Sequence, residues 1–368
     1  MICRRTLLGV PFALGAAKAA APAVKHIRVY ARDGRFGGWP ANHGLWSWGN
    51  EIVCGFAAAY FIKTDPERHQ RDKSRPDEPS LARSLDGGET WKIEQPKTLL
   101  PHSQGGLKPV RLESPMDFTE AGFAMTLRFE GSHNSRSYLW YSNNKAHTWK
   151  GPFHFPLFGR KGIDARTDYL VLGRREALVF VTAAKAEGGE GRPLCVRTTD
   201  GGLSWNVQGW IGDEPPGFAI MPSSVQLPTR RILTAVRVKR DATADWIDLY
   251  ASDDLGRSWR EFAKPVAFSG GKSGNPPSLT RLADGRLCIT YGYRGKPYGI
   301  RATMSDDDGR TWSPDVVLRD DGAAWDLGYT RDAVRPDGKM VTLYYWSPGL
   351  YAEREIVASI WTPGPRYG

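Results

Sequence analysis

One eight-residue pattern recurs five times along this chain and constrains its fold more than any other feature. The copies read SLDGGETW, SNNKAHTW, TTDGGLSW, SDDLGRSW and SDDDGRTW. Their last residues follow one another at intervals of 53 to 58 residues and are Trp91, Trp149, Trp205, Trp259 and Trp312. Strand-like stretches without helical periodicity fill the intervals. A regular period of this length, built from strands, is typical of a β-propeller.

The pattern has the chemistry of a tight turn. Its template is Ser/Thr-x-Asp-x-Gly-x-Thr/Ser-Trp, in which the carboxylate can accept backbone N–H groups and the glycine permits a positive φ. The hydroxyl groups add further bonds to the backbone, and the tryptophan fills the gap to a neighbouring element. In the second copy Asn144 and Ala146 replace the aspartate and the glycine. The acidic run 306–308 is absent from the other copies, which favours a turn over a calcium site.

Hairpin signals upstream of the boxes indicate the rest of each repeat. Asp284-Gly285 and Asp337-Gly338 are typical of tight turns between antiparallel strands. A further interval of 49 residues leads to Trp361, in a stretch that has lost the box. Residues 25–31 can supply the outer strand that this last repeat lacks, which would close the ring and remove its exposed edges. We therefore predict an all-β, six-bladed propeller of four-stranded antiparallel blades over residues 24–368.

The N-terminus is typical of an export signal. Arg4-Arg5 precede an apolar run and then small residues in MICRRTLLGVPFALGAAKAAAPA, and this order resembles a twin-arginine signal over residues 1–23. The apolar run is too short to span a bilayer. We expect an exported protein, periplasmic or extracellular, without stable membrane insertion after signal removal. An uncleaved N-terminal anchor is the alternative.

Removal of the export signal would also remove Cys3 and leave Cys54, Cys195 and Cys288. These three are odd in number and fall in alternate repeats. Their spacing shows neither a CxxC pair nor a zinc pattern. We expect three buried, unpaired thiols, no disulfide, no metal and no cofactor, and a monomer.

Strand alternation sorts the loops between two faces. Boxes and tight hairpin turns share one face. The loops that lead into the inner strands share the other face, and they hold residues 43, 116–117, 166–168, 221–223, 275–277 and 329–331. The loops between second and third strands add Lys63, Arg68, His69, Arg71, Lys73, Arg75, His133, Arg136, Lys239, Arg240, Arg294 and Lys296. With a net charge of +10, this basic face favours an acidic ligand, and no nucleic-acid motif is present.

The repeat is similar to the Asp-box, or BNR, repeat of the sialidase-like superfamily of six-bladed propellers. The resemblance covers nearly all of the mature chain. It implies that Tyr329 stands where that family has a tyrosine nucleophile and Arg237 where it has a carboxylate-binding arginine. Two positions depart from the family. WPANHG replaces an Arg-Ile-Pro motif, and Met221 replaces the glutamate that assists the tyrosine. Ordinary sialidase action is therefore not expected.

The segment FGGWPANHG resembles a smaller group of propellers, which includes α-L-rhamnosidases that act on rhamnose linked to glucuronate and lyases that act on uronate polysaccharides. This resemblance implies that His43 is a catalytic histidine, and neutral imidazole can exchange protons near neutral pH. With Tyr329 as the second catalytic candidate, the predicted substrate-binding residues are Trp46, Arg166, Asp168, Arg237, Asn275, Arg294 and Arg331. Simpler interpretations exist for these residues. His43 would be a hydrogen-bonded turn residue and Tyr329 a packed tyrosine with a bonded hydroxyl. His69 and His133 would be solvated, and His147 would be structural.

We therefore expect an exported glycoside hydrolase whose partner is an acidic oligosaccharide or polysaccharide, with His43 as general acid and base. An exo-sialidase-like enzyme, a uronate polysaccharide lyase and a non-catalytic glycan-binding propeller remain as alternatives. New reducing ends would indicate cleavage, and the ultraviolet absorbance of an unsaturated uronate would indicate a lyase. Tight binding with neither signal would indicate a glycan-binding propeller.

Overall fold

The computed structural model describes residues 23–131, 135–241 and 243–366. Six antiparallel sheets form the blades of a ring, so the predicted all-β six-bladed propeller is confirmed. The export signal, apart from its last residue, and His133 lie outside the described residues. Within the described residues no helix has the length and apolar character that crossing a membrane requires.

The strands follow one another blade by blade. The first blade holds β2 (Arg35–Gly38), β3 (Leu45–Trp48), β4 (Glu51–Tyr60), β5 (Glu78–Ser84) and β6 (Lys92–Glu94). The second holds β7 (Ala124–Phe129), β8 (Ser137–Ser142) and β9 (Lys150–His154). The third holds β10 (Ile163–Asp164), β11 (Tyr169–Gly173), β12 (Glu176–Ala183), β13 (Arg192–Thr198) and β14 (Asn206–Trp210).

The second half of the ring is more regular. The fourth blade holds β15 (Phe218–Gln226), β16 (Ile232–Lys239), β17 (Asp245–Ser252) and β18 (Arg260–Val266). The fifth holds β19 (Ser278–Arg281), β20 (Leu287–Tyr293), β21 (Tyr298–Ser305) and β22 (Val316–Gly322). The sixth holds β23 (Gly328–Val334), β24 (Met340–Trp346), β25 (Glu355–Trp361) and, as its outer strand, β1 (Val24–Tyr30). The antiparallel pairing of β1 with β25 is the ring closure that the sequence predicts.

Two inner strands are split in the middle. In the first blade β2 and β3 both pair with β4, and the short helix α1 (Pro40–His43) lies between them. In the third blade β10 and β11 both pair with β12, and residues 165–168 bulge out between them. The interruptions release side chains from the pleated ladder at the places where the sequence puts His43, Arg166 and Asp168.

The second blade has three strands in the part of the chain that the structure describes, because the segment before β7 does not form its inner strand. Val110 instead bridges Phe153 in β9. The Met116 amide then donates to the carbonyl of Gly201, in the box of the third blade. Residues 116–117 therefore lie at the box face, and their placement on the opposite face was wrong. Where the inner strand of the second blade would lie, helix α1 and β10 contact β7 instead.

The boxes form the hydrogen bonds that their residues suggest. In the first box, Gly88 N–H donates to Ser84 Oγ at 2.8 Å, and Thr90 N–H donates to Asp86 Oδ1 at 2.9 Å. Trp91 Nε1 closes the turn on the carbonyl of Gly88. The degenerate box keeps the same turn because Asn144 Oδ1 accepts the Thr148 amide. A side-chain oxygen at this position is therefore sufficient.

Candidate functional site

A pocket of about 220 Å³ opens on the face opposite the boxes. Its walls come from the loops that lead into inner strands, the starts of those strands, the ends of second strands and the loops between second and third strands, which is the face that strand alternation predicts. The lining residues are His69, Arg166, Glu190, Phe218, Ile220, Arg237, Lys272, Ser273, Arg294, Trp325 and Tyr329. Four of them are cations and one is a carboxylate, so the pocket favours an anion.

Arg237 and Arg294 are the most deeply buried of these cations. Arg237, near the end of β16, donates from Nε to the carbonyl of Ser273 at 2.9 Å. Arg294, just after β20, donates from Nη1 to the carbonyl of Gly274 at 2.9 Å. Neither guanidinium forms an ion pair with a carboxylate among the described residues. Because burying a charge without a counter-ion is costly, two such cations at one pocket point to an anionic ligand.

Tyr329 lies next to both of these arginines. Its hydroxyl accepts a hydrogen bond from Arg237 Nη1 at 3.1 Å, and the Arg294 guanidinium lies 5.6 Å from its ring centroid. Burial alone would raise the pKa of Tyr329, but the charges of Arg237, Arg294 and Arg166 outweigh burial and lower it. The phenolate is therefore easier to form here than in water.

Asn275 holds Tyr329 in an unusual conformation. Tyr329 has a φ of 55°, at a β-bulge between β23 and β24. Asn275 Oδ1 accepts its amide proton at 2.7 Å, and Asn275 Nδ2 donates to the carbonyl of Leu327 at 2.8 Å. The side chain of Asn275 is fully buried. The structure thus places Asn275 behind the tyrosine, where it fixes the backbone.

Arg166 supplies a third cation from the split inner strand of the third blade. Its Nη2 lies 3.5 Å from Glu190 Oε1, and its guanidinium packs over the ring of Phe129. Nε and Nη1 of Arg166 are buried and have no hydrogen-bond partner among the described residues. Donor capacity therefore remains on this side of the pocket.

Met221 occupies the position at which the sialidase-like family has a glutamate that assists the tyrosine. It lies at a bulge of β15 with a φ of 57°, and its Sδ faces Arg237 Nη1 at 3.7 Å. No carboxylate hydrogen-bonds to the Tyr329 hydroxyl among the residues described. The cationic surroundings of Tyr329, and not an adjacent base, lower its pKa.

His69 is a pocket residue that the sequence did not single out. The expectation of a solvated histidine holds only in part: the side chain is 36% exposed, but its Nδ1 lies 2.6 Å from Oδ1 of Asp326, which is fully buried. Its ring packs edge-on against Trp39 and lies 5.4 Å from Trp325. Glu190, Lys272 and Asp326 were missed as well, since no local motif links residues so distant in sequence.

Three of the predicted substrate-binding residues line a second cavity, of about 300 Å³, among the inner strands. Arg331 Nη2 donates there to the carbonyls of Ala41 and Thr167, near Asp168. Burial raises the pKa of Asp168 to about 7, although Arg331 and Ser224 oppose it. Trp46 is largely buried against Trp149. These three residues are not brought together with the Tyr329 pocket.

His43 also stands apart from the residues that line the Tyr329 pocket. It ends α1 and packs on Gly55, where a Cβ atom would lie 2.6 Å from the Cβ of His43. Its Nδ1 is buried without a hydrogen-bond partner among the described residues. Burial, assisted by the charge of Arg128, lowers the pKa of His43 well below its usual value. The lowered pKa favours an uncharged imidazole near neutral pH.

No group of three or more His, Cys, Asp or Glu side chains in the described ranges could hold a metal ion. Cys54, Cys195 and Cys288 are free and buried, as expected.

Comparison with solved structures identifies the fold. A protein of unknown function from Dyadobacter fermentans superposes with a TM-score of 0.71 at 20% identity, over 93% of this chain and 100% of that one. Trypanosoma rangeli sialidase in complex with sialic acid gives 0.62 at 14% identity, over 92% of this chain and 59% of that one. The K499G mutant of the NanB sialidase from Streptococcus pneumoniae gives a TM-score of 0.59 at 12% identity, over 91% of this chain and 70% of that one.

These likenesses show that the chain has the six-bladed fold of the sialidase propellers. The chain spans about three fifths of the length of the trypanosomal enzyme. No protein-family model matches the sequence, and no curated protein is similar to it. Because one fold hosts many functions, the function has to be argued from the site.

Proposed function

We propose that this protein is a glycoside hydrolase that cleaves a bond next to an acidic sugar. One observation carries the proposal: Arg237 and Arg294 are buried without a carboxylate partner among the described residues, and both lie beside Tyr329, the first bonded to its hydroxyl and the second near its ring. A sugar carboxylate supplies the missing charge, and guanidinium groups bind carboxylates with paired, geometrically specific hydrogen bonds. Arg166 provides a third donor group on the Glu190 side of the pocket.

The tyrosine supplies the reactive oxygen. As a phenolate, Tyr329 attacks the anomeric carbon, and the bond to the leaving oxygen breaks with its electron pair. The leaving oxygen takes a proton from a general acid. Water then attacks the tyrosyl adduct, gives one proton to the conjugate base of that acid, and releases Tyr329 as phenolate. The lowered pKa of Tyr329 makes this route accessible without a glutamate at position 221.

A lyase is the second candidate, and the same lowered pKa favours it. A phenolate can remove the proton on the carbon next to a uronate carboxylate while the arginines neutralise that carboxylate. The bond to the leaving oxygen breaks, and the leaving oxygen is protonated. The product carries a double bond, which distinguishes this reaction from hydrolysis.

Sialosides belong among the substrates to be tested, because sialic acid is an acidic sugar and the fold is that of the sialidase propellers. Met221 and the WPANHG segment still argue against ordinary sialidase action. Rhamnose linked to glucuronate, other uronate-containing oligosaccharides and sialosides form one panel. We also propose that residues 1–23 direct export, which N-terminal sequencing of the secreted protein would test.

The experiment compares wild type, Tyr329→Phe and Arg257→Gln on this panel, with reducing ends and ultraviolet absorbance as readouts. Arg257 is an exposed arginine in a box on the opposite face, so its substitution controls for net charge. We expect turnover of an acidic glycan by wild type and Arg257→Gln, and loss of turnover in Tyr329→Phe. Tight binding without any product would instead favour a glycan-binding propeller, and full activity of Tyr329→Phe would refute the catalytic role of the tyrosine.

A further inference from the structure

The pocket contains a second chemical group besides the tyrosine. His69 lies in the loop between β4 and β5, and three contacts hold that loop to loops of other blades. Gln70 Nε2 donates to the carbonyl of Leu350, Trp325 Nε1 donates to the carbonyl of Pro66, and Lys272 pairs with Glu67. The loop is therefore fixed on both sides of the histidine.

The Asp326 carboxylate determines which nitrogen of His69 carries a proton. Burial alone would raise the pKa of Asp326, but His69 and Arg354 outweigh it and hold this pKa below the usual value. An ionised carboxylate only accepts hydrogen bonds, so the 2.6 Å contact requires His69 Nδ1 to donate. Nε2 then remains available, and it makes no hydrogen bond to any residue that the structure describes.

The same carboxylate is linked to the anion-binding side of the pocket. Tyr345 Oη donates to Asp326 Oδ1 at 2.7 Å, and Arg294 Nη2 donates to Tyr345 Oη at 3.0 Å. All three side chains are buried. One hydrogen-bonded chain thus runs from His69 through Asp326 and Tyr345 to Arg294, and it fixes the proton donor relative to the arginine.

We propose that His69 is the general acid and base of the reaction and that Asp326 is its positioning residue. This inference rests on the proposed function. In the first step His69 reacts as the imidazolium, with protons on both ring nitrogens, and its Nε2 proton moves to the leaving oxygen as the glycosidic bond breaks. In the second step the bare Nε2 takes a proton from the attacking water. Asp326 stays ionised throughout and compensates the charge that the imidazole gains.

His43 provides the matched comparison. Its ring is uncharged and lies outside the set of residues that line the Tyr329 pocket, whereas His69 lines it. A neutral imidazole is too weak an acid to protonate a leaving group in the first step. The structure therefore favours His69 over the histidine that the sequence motif suggested.

The first test is kinetic and compares His69→Gln, Asp326→Asn and His43→Gln on the acidic substrate that wild type turns over. General acids and bases contribute about 10²–10⁴-fold, so His69→Gln should lower kcat by about that factor with little change in KM. We expect His43→Gln to keep its kcat within about threefold, well short of the loss of a general acid. An unchanged kcat in His69→Gln with an inactive Tyr329→Phe would overturn the inference and leave the proposed function standing.

The second test needs no substrate. In protein with ¹⁵N-labelled histidine, the ring signals that His69→Gln removes belong to His69. We expect a protonated Nδ1 and an exchangeable Nε2 in wild type, and a different tautomer mixture in Asp326→Asn. A protonated Nε2 with a bare Nδ1 in wild type would overturn the positioning role, and so would identical spectra in folded Asp326→Asn. If Asp326→Asn does not fold, the wild-type signals and His69→Gln still decide the assignment. If wild type cleaves no acidic glycan, the proposed function fails, and with it the catalytic role of His69.

Discussion

Replacing Asn275 by alanine should both destabilise the protein and inactivate it. The substitution removes the acceptor of the Tyr329 amide and the donor to the Leu327 carbonyl. A buried polar group that loses its partner costs about 1–3 kcal/mol. Since the contact with Tyr329 is only partly buried, we expect the free energy of unfolding to fall by about 2–4 kcal/mol in total.

Activity should fall for a second reason. The left-handed conformation of Tyr329 costs a non-glycine residue about 1–2 kcal/mol, and Asn275 offsets that cost. Without the amide, the backbone at residue 329 can relax to a negative φ, which turns the phenol away from Arg237. We expect kcat/KM on an acidic glycan to fall at least about tenfold, since a loss of 1.4 kcal/mol is a factor of ten.

Urea unfolding and steady-state kinetics measure the two effects separately. Asn206→Ala is the control, because Asn206 is an exposed asparagine at the start of β14. Its unfolding free energy should stay within about 0.5 kcal/mol of wild type. Unchanged stability of Asn275→Ala would refute the hydrogen-bond argument. A destabilised but fully active Asn275→Ala would refute the claim that the strained backbone positions Tyr329.

Burial and charge also affect the pH dependence of stability, the salt dependence of binding and the reactivity of the thiols. The pKa of Asp168 is raised to about 7, so the folded state holds this proton more tightly than the unfolded chain does. The stabilisation from this group should be greatest below about pH 4 and should decline as the pH rises through about 7. Asp168→Asn should reduce this loss of stability with rising pH, which unfolding measurements at several pH values would show. Binding of an acidic glycan should weaken as salt is raised, whereas binding of a neutral analogue should not, and equal salt effects in calorimetry would rule out the charged pocket as the binding site. Cys54, Cys195 and Cys288 are free and buried, so a thiol reagent should modify none of them in the native protein and all three after unfolding; labelling of a native thiol would contradict their burial.

The fold could be read from the sequence because it repeats. Five boxes at similar intervals and a sixth repeat without a box indicate six blades, and the missing outer strand of that last repeat indicates closure by the N-terminal strand. The missing inner strand of the second blade could not be read in this way, because the contact between Val110 and Phe153 is a tertiary one with no local pattern.

The site was only partly accessible from sequence. Tyr329 and Arg237 are implied by the resemblance to the sialidase-like family and Arg294 by its loop on the basic face, and the structure brings the three together. The pairing of His69 with Asp326 joins residues 257 positions apart, and each of them lies in an ordinary loop sequence. Arg331 and Asp168 have the expected repeat positions, but they line the second cavity, because each lies two residues beyond a residue of the first pocket, which is about 7 Å further along the chain.

The central claim is that the arginine pocket recognises a sugar carboxylate. Calorimetry should compare a rhamnosyl-glucuronate oligosaccharide with its carboxyl-reduced, neutral counterpart, in a Tyr329→Phe background that prevents turnover. We predict that the acidic sugar binds at least about tenfold more tightly, which corresponds to about 1.4 kcal/mol. Adding Arg237→Gln should abolish this preference, and adding Arg257→Gln should preserve it. Equal affinity for the two sugars, or a preference that survives Arg237→Gln, would contradict the account.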